Sequence, residues 1–180
     1  MYKVTLEELK QLALKAKNDL WALARANDRD VKVYLHWSAG HYGQFFSDYH
    51  INIDKDGSVY MSTNDLATVL AHTWRRNSGA IGVSLAACYD ATTQNWGPEP
   101  PTVAQIEAMA QVVCVLANAL DLTIDYDRVM THAEAANEDG YGPQQTWERW
   151  DLWILPGVSL GEGGNIIRGK ANWYRQNGVT

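Results

Sequence analysis

Seven residues, Val31-Lys32-Val33-Tyr34-Leu35-His36-Trp37, constrain this chain more than any others. Their β-branched members and alternating polarity predict a strand. The strand carries a histidine, His36, at its exit, where hydrophobic patterning alone would not place one. Three further polar groups fall out of pattern in the same way: Tyr49-His50, Thr131-His132 and Arg149-Trp150-Asp151. A catalytic zinc takes three protein ligands from His, Asp, Glu or Cys and leaves a fourth position for water. Two histidines and one carboxylate meet that requirement.

Around this strand the chain alternates between helical and extended patterns. Thr5-Leu6-Glu7-Glu8 reads as a capping box, and Leu6, Leu9, Leu12, Ala13, Ala16, Leu20 and Leu23 form one apolar stripe, so the pattern predicts a helix over 5–26. Tyr49 to Ile53 and Ser58 to Met61 flank Asp54-Lys55-Asp56-Gly57, a hairpin signal because Asp-Gly supplies the positive φ of the turn. A short helix is expected from Asp65 to Leu70, a buried strand from Ile81 to Ala86, and a proline-stiffened loop from Asn95 to Pro101. Thr102 to Gln105 is a second capping box, opening a helix that runs to about Leu120. Asp127 to His132 is expected as a strand or strand end, Ala133 to Thr146 as a loop rich in Gly, Asn and Gln, and 167–178 as a final helix closed by Gly178. This order implies an α/β fold: a central mixed β-sheet flanked by helices, in one domain over 1–180.

Composition excludes several function classes. A formal charge of −6 and a pI near 5.3 argue against a nucleic-acid binder, which needs a basic footprint to neutralise phosphates. No run is read as approaching the roughly 18 apolar residues of a membrane-spanning helix, so no membrane partner is expected. The N-terminus carries charges at helical spacing and lacks an apolar h-region, so no signal peptide is expected. Synthesis in a cytoplasm, or excision from a longer secreted protein, follows from that reading. Eight Trp and nine Tyr stand against two Phe. Rings with a polar handle suit a half-wet sugar or peptide groove as well as a core. Cys88 and Cys114 sit in apolar runs and read as buried thiols, with one bridge left open. Ser38 to Gly43 lacks the pattern of a phosphate loop, and Ser84 has no evident His/Asp partners.

Taken in order, Tyr34 to Gly40, Tyr49 to Ile53 with Asp56-Gly57, Ser78 to Val83, Thr131 to Glu134 and Arg149 to Asp151 make the chain resemble a known family. That family is the type 2 N-acetylmuramoyl-L-alanine amidases, which also contains the amidase-type phage lysozymes and the peptidoglycan recognition proteins. The similarity spans roughly residues 30 to 155. It implies one zinc held by His36, His132 and Asp151. The gap from His132 to Asp151 is longer than in compact phage members, which makes Asp139 the alternative third ligand, whereas Arg149 two positions before Asp151 fits the family pattern. Tyr49 matches a catalytic tyrosine, and Arg149 would stabilise an oxyanion. Other members use a Glu from the strand matching Ile81 to Ala86, which has no acid here. His72 matches a substrate-groove histidine, and Trp37, Trp74, Trp147 and Trp150 are candidate groove walls. His50 is read as structural and His41 as a surface loop residue.

The implied activity is hydrolysis of the amide between N-acetylmuramic acid and L-alanine of the peptidoglycan stem peptide, with the muramyl-peptide as partner. The resemblance also leaves open a non-catalytic peptidoglycan-binding module, or a regulator of a partner enzyme. A phage or prophage lysin acting at the cell wall after release, a domain of a longer hydrolase, and a cytoplasmic recycling enzyme are the biological settings it allows.

Overall fold

Alternation along the strands divides this protein into an apolar side and a polar side. The computed structural model describes residues 1–140 and 151–178. Within them lie β1 (Tyr2–Val4), α1 (Leu6–Arg25), β2 (Lys32–Trp37), β3 (Ile51–Ile53), β4 (Val59–Met61), β5 (Ala80–Leu85), α2 (Val103–Leu120), β6 (Val129–Thr131), α3 (His132–Asp139) and α4 (Gly163–Gln176). The strands form one six-stranded mixed sheet in the order β1-β4-β3-β5-β2-β6. β3, β5, β2 and β6 are parallel neighbours, while β4 runs antiparallel to both β3 and β1. The α/β expectation of a mixed sheet with helices packed on it is therefore met.

Successive strand residues face opposite sides of a sheet. Val33, Leu35 and Trp37 of β2, Ile81, Val83 and Leu85 of β5, and Ile51 and Ile53 of β3 all enter the main hydrophobic core. That core also takes Leu9, Ala13, Ala16 and Leu20 of α1 and Ile167 and Ala171 of α4. α2 packs against α1, α4, β3 and β5. Buried residues occur all round it, which is why its pattern is nearly uniformly apolar. By length and composition α2 would suffice to cross a membrane, contrary to the sequence reading that no run approaches this, but 67% of it is buried inside the fold. Its apolarity serves the core.

The intervening residues face the other way. Tyr34, Ala80, Met130 and Ala135 form a second small apolar cluster there, with His36, Gly82 and Ser84 on the same side of β2 and β5. α3 packs on β6 and β2 over this side. The sheet thus keeps its polar positions on the face away from α1 and α2.

Local chemistry explains the element ends. Capping boxes open α1 at Thr5/Glu8 and α2 at Thr102/Gln105, as the sequence predicts. Gln105 goes further: buried, it donates from Nε2 to the carbonyls of Ile53 and Ala86, tying the ends of β3 and β5 to the start of α2. The hairpin turns at Gly57, φ +84°, with the Asp54 N–H donating to the Ser58 carbonyl at 2.9 Å.

Four expectations need correction. No helix covers 65–70, because Thr63 and Asp65 accept from the backbone N–H groups of Asp65 and Ala67 and hold single turns instead. Part of the loop expected after residue 132 is helical: α3 spans His132–Asp139, opened by a third capping box between Thr131 and Glu134. The signature Thr-x-x-Glu stands in the sequence, yet the polar, Gly-containing run behind it outweighed it. α4 begins at Gly163, four residues before the predicted start, since its first turn is glycine and asparagine and carries no apolar stripe. β1 was not expected at all; three residues are too short for a period to register.

Candidate metal and catalytic site

Three donors converge on the polar face of the sheet. β2 delivers His36, its ring turned away from the core by alternation; β6 ends at Thr131, so His132 is the first residue of α3. Asp151 returns from a distant part of the chain, and its carbonyl accepts the Ala133 N–H at 3.2 Å. That bond satisfies one of the N–H groups left over at the start of α3 and sets Asp151 beside His132. His36 Nδ1 lies 2.9 Å from Asp151 Oδ2, and His132 Nδ1 lies 2.7 Å from Asp151 Oδ1. All three residues are buried, with ligand atoms within 4.8 Å of one another.

The donor set fits a zinc ion. Ligands at about 2.0–2.2 Å from one tetrahedral zinc stand about 3.3–3.6 Å apart, and donors lying within 4.8 Å of one another reach that spacing by small side-chain shifts. The chemistry agrees, since two imidazole nitrogens and a carboxylate are ordinary zinc ligands and a carboxylate buried at 2% exposure calls for a compensating positive charge. Parallel sheets tend to bind ligands beyond the carboxyl ends of their strands. His36 and His132 occupy that end of β2 and β6.

A second ring of aromatic and imidazole groups surrounds the donors. The Tyr49 ring centroid is 4.9 Å from that of His36, and Tyr49 is 8% exposed. His72 Nδ1 lies 3.2 Å from His36 Nε2, so both ring nitrogens of His36 are engaged. Burial, followed by the neighbouring imidazoles, holds His72 well below the ordinary histidine range. His50 accepts the Gly82 N–H at Nδ1, 3.0 Å, and donates from Nε2 to the Thr68 carbonyl, 2.6 Å. Burial lowers its pKa to about 4, so it is neutral at neutral pH. Its two bonds are those of a structural residue. Tyr49 and His50 precede β3 in a bend, so strand alternation does not govern which way they point.

The remaining candidates separate. Asp139 is not among the three converging donors and is engaged by Arg76, whose Nε and Nη2 donate to its two carboxylate oxygens at 2.6 and 2.5 Å. Trp37 is 3% exposed and packed in the main core, so it cannot form a groove wall. Alternation makes this unavoidable, because neighbouring strand residues cannot both face the site. Trp74 is 50% exposed beside the buried His72-Thr73 pair, with the Arg75 guanidinium 5.7 Å from its ring centroid. His41 is a surface residue stacked on Tyr89 and paired with Glu99. Cys88 and Cys114 are buried thiols with no bridge between them. Arg149, Trp147 and Trp150 lie outside the described residues.

Two supports of the site escaped the sequence reading. The Glu134 carboxylate forms a buried pair with Arg168 of α4, at 2.8 and 2.7 Å, and thereby fixes the start of α3. Gly82 gives His72 room: a Cβ there would stand 2.7 Å from the imidazole Cγ. Thr131-x-x-Glu134 signals the first in sequence; a glycine inside a strand pattern marks the second only as a close approach, without naming the partner.

Comparison with known proteins bears on this arrangement. The family model described as N-acetylmuramoyl-L-alanine amidase matches residues 15–148. Among solved structures, the chain is similar to the N-acetylmuramoyl-L-alanine amidase LysC from Clostridium intestinale URNW, at 17% identity and a TM-score of 0.41 over 57% of this chain and 69% of that one. It is also similar to the endolysin N-acetylmuramoyl-L-alanine amidase LysCS from the same organism, at 18% identity and a TM-score of 0.41 over 57% and 68%. No curated protein matches the chain.

Proposed function

The chain belongs to the N-acetylmuramoyl-L-alanine amidase family, and from that premise we propose that it is a zinc-dependent peptidoglycan amidase. It would cleave the bond between the lactyl group of N-acetylmuramic acid and the L-alanine of the stem peptide. The observation that carries this reading is the convergence of His36, His132 and Asp151, buried and within 4.8 Å of one another, on the polar face of the sheet. These three side chains would hold the ion. When bound, zinc supplies Lewis acidity to the scissile carbonyl and lowers the pKa of water.

The chain's own groups would do the rest. Tyr49, whose ring lies beside His36, would receive or guide the proton of the attacking water through its hydroxyl. Arg149 is assigned to the oxyanion on its position two residues before Asp151, a sequence argument alone. Trp74, exposed next to His72, is the candidate wall for substrate. The substrate then fixes the place of action as the cell wall, and the proposed unit is one amidase domain over 1–180.

Two results are expected. Elemental analysis of purified protein gives one zinc per chain, and digestion of purified wall releases new L-alanine amino termini that disappear on chelation. A protein that binds muramyl-peptide and zinc without ever releasing those termini would be the non-catalytic binding module instead. Tyr49→Phe and Arg149→Ala each lower turnover by about 10²- to 10³-fold with zinc still bound, the usual scale for losing an acid–base group or an oxyanion donor. Arg149→Lys recovers part of the loss, because a point charge can still approach the oxygen. Zinc content measured on each variant separates a chemical defect from an empty centre.

A further inference from the structure

We infer that His72 is a positioning residue for the metal centre, accepting at Nδ1 the Nε2–H of His36 and so leaving the His36 Nδ1 lone pair directed at the Asp151 and His132 side of the site. The inference rests on the zinc reading above and gives His72 a task other than substrate contact. A metal-binding histidine usually donates its other ring N–H to an outer partner, which fixes the tautomer and the ring orientation. That partner is most often a carboxylate, a carbonyl or water. Here the group opposite His36 Nε2 is an imidazole nitrogen at 3.2 Å. An imidazole can accept only if its facing nitrogen is unprotonated, so the two rings must adopt matched tautomers.

The surroundings of His72 are built to hold that ring. Its backbone N–H and that of Thr73 both donate to Asn77 Oδ1, at 3.1 and 2.9 Å, and the Thr73 hydroxyl does the same. The His50 ring meets it edge-on at 5.6 Å, and His50 is itself pinned by Gly82 and Thr68. Below it lies Gly82, where any Cβ would collide with the imidazole at 2.7 Å. Yet the other ring nitrogen, Nε2, is buried with no hydrogen-bond partner among the described residues. A ring held this firmly, whose one side-chain hydrogen bond among the described residues goes to His36, is organised around His36. At 6% exposure it also offers a substrate little surface.

The test measures zinc affinity by competition with a chromophoric chelator for wild type, His72→Leu, His72→Asn and Gly82→Ala, together with histidine ¹⁵N spectra of the zinc-loaded protein. His72→Leu should weaken zinc binding about 10- to 100-fold, the usual cost of losing an outer-shell partner. His72→Asn, whose Oδ1 can accept in place of Nδ1, should recover most of that loss. Gly82→Ala keeps the imidazole but pushes it off β5, so it should resemble His72→Leu. In loaded wild type, the ¹⁵N shifts should place the His36 proton on Nε2. Equal affinity in His72→Leu and wild type, equal weakness in the Leu and Asn variants, or a His36 proton on Nδ1 would each overturn the inference. So would a His72→Leu enzyme that keeps its zinc affinity and loses only KM. Wild type that binds no zinc at all defeats the zinc reading itself, whereas wild type that binds zinc while the His72 variants bind it equally well defeats this inference alone.

Discussion

On the zinc reading proposed above, Asp151→Ala is expected to lose zinc and hydrolysis together, while Asp139→Ala is expected to keep zinc bound. The first substitution removes the carboxylate that both imidazole Nδ1 atoms face, at 2.9 and 2.7 Å, and leaves two donors where a catalytic zinc needs three. The fall in affinity should therefore exceed the about 10- to 100-fold that an outer-shell loss costs. Asp139 has a different commitment. Its carboxylate is engaged by Arg76, whose side chain is 6% exposed, against 37% for Asp139 itself. Asp139→Ala leaves that guanidinium without this counter-charge, but solvent reaching the Asp139 end screens the pair, so the expected cost is about 1–2 kcal/mol of stability. Zinc titration and urea unfolding on both variants check the pattern. If Asp139→Ala empties the centre and Asp151→Ala does not, the third ligand is Asp139.

The choice between these two acids shows where sequence reasoning reached its limit. The long segment after His132 made the nearer Asp139 the alternative, and only Arg149, two positions before Asp151, favoured Asp151. What settles the position of Asp151 is a backbone bond, Ala133 N–H to the Asp151 carbonyl, made across that segment at the start of a helix the sequence reading did not expect. Elements specified by nearest neighbours were legible: α1 and α2 from their capping boxes, β2 from its β-branched alternation, β5 from a short apolar run, the hairpin from Asp-Gly. His36 was legible as an oddity in a strand. Its neighbour Trp37 could have been assigned to the core by the same alternation, since Leu35 and Trp37 share a face that His36 does not. The contact between His36 and His72 had no such signal. It depends on Gly82 lying flat in a third element, and a glycine inside a strand pattern marks close approach without saying of what.

The largest stability effect is expected at Glu134, which holds the helix that begins with His132. Its carboxylate does two jobs: Oε1 accepts the Thr131 N–H at 2.8 Å to close the capping box, and both oxygens pair with Arg168. It also lies against the first turn of α4, where Gly164 admits it; a Cβ there would stand 2.3 Å from Oε1. Acids are favoured at a helix N-terminus, so the placement is electrostatically sound on that side too. Both partners of the pair are nearly buried, at 7% and 4% side-chain exposure, so removing one strands the other charge away from water. Glu134→Ala should cost about 3–5 kcal/mol, of which the lost cap is about 1 kcal/mol. Glu134→Gln separates the two parts, because Gln at this position still closes a capping box, as Gln105 does in α2. It should return the cap and leave most of the ion-pair loss. The double variant Glu134→Leu with Arg168→Met should lose less than the sum of its singles, since neither charge is then left unpaired. Urea unfolding of wild type, Glu134→Ala, Glu134→Gln, the double variant and its two singles reads these differences directly. A loss below about 1 kcal/mol in Glu134→Ala would mean that Arg168 finds another partner or water, and that the pair does not set the start of α3.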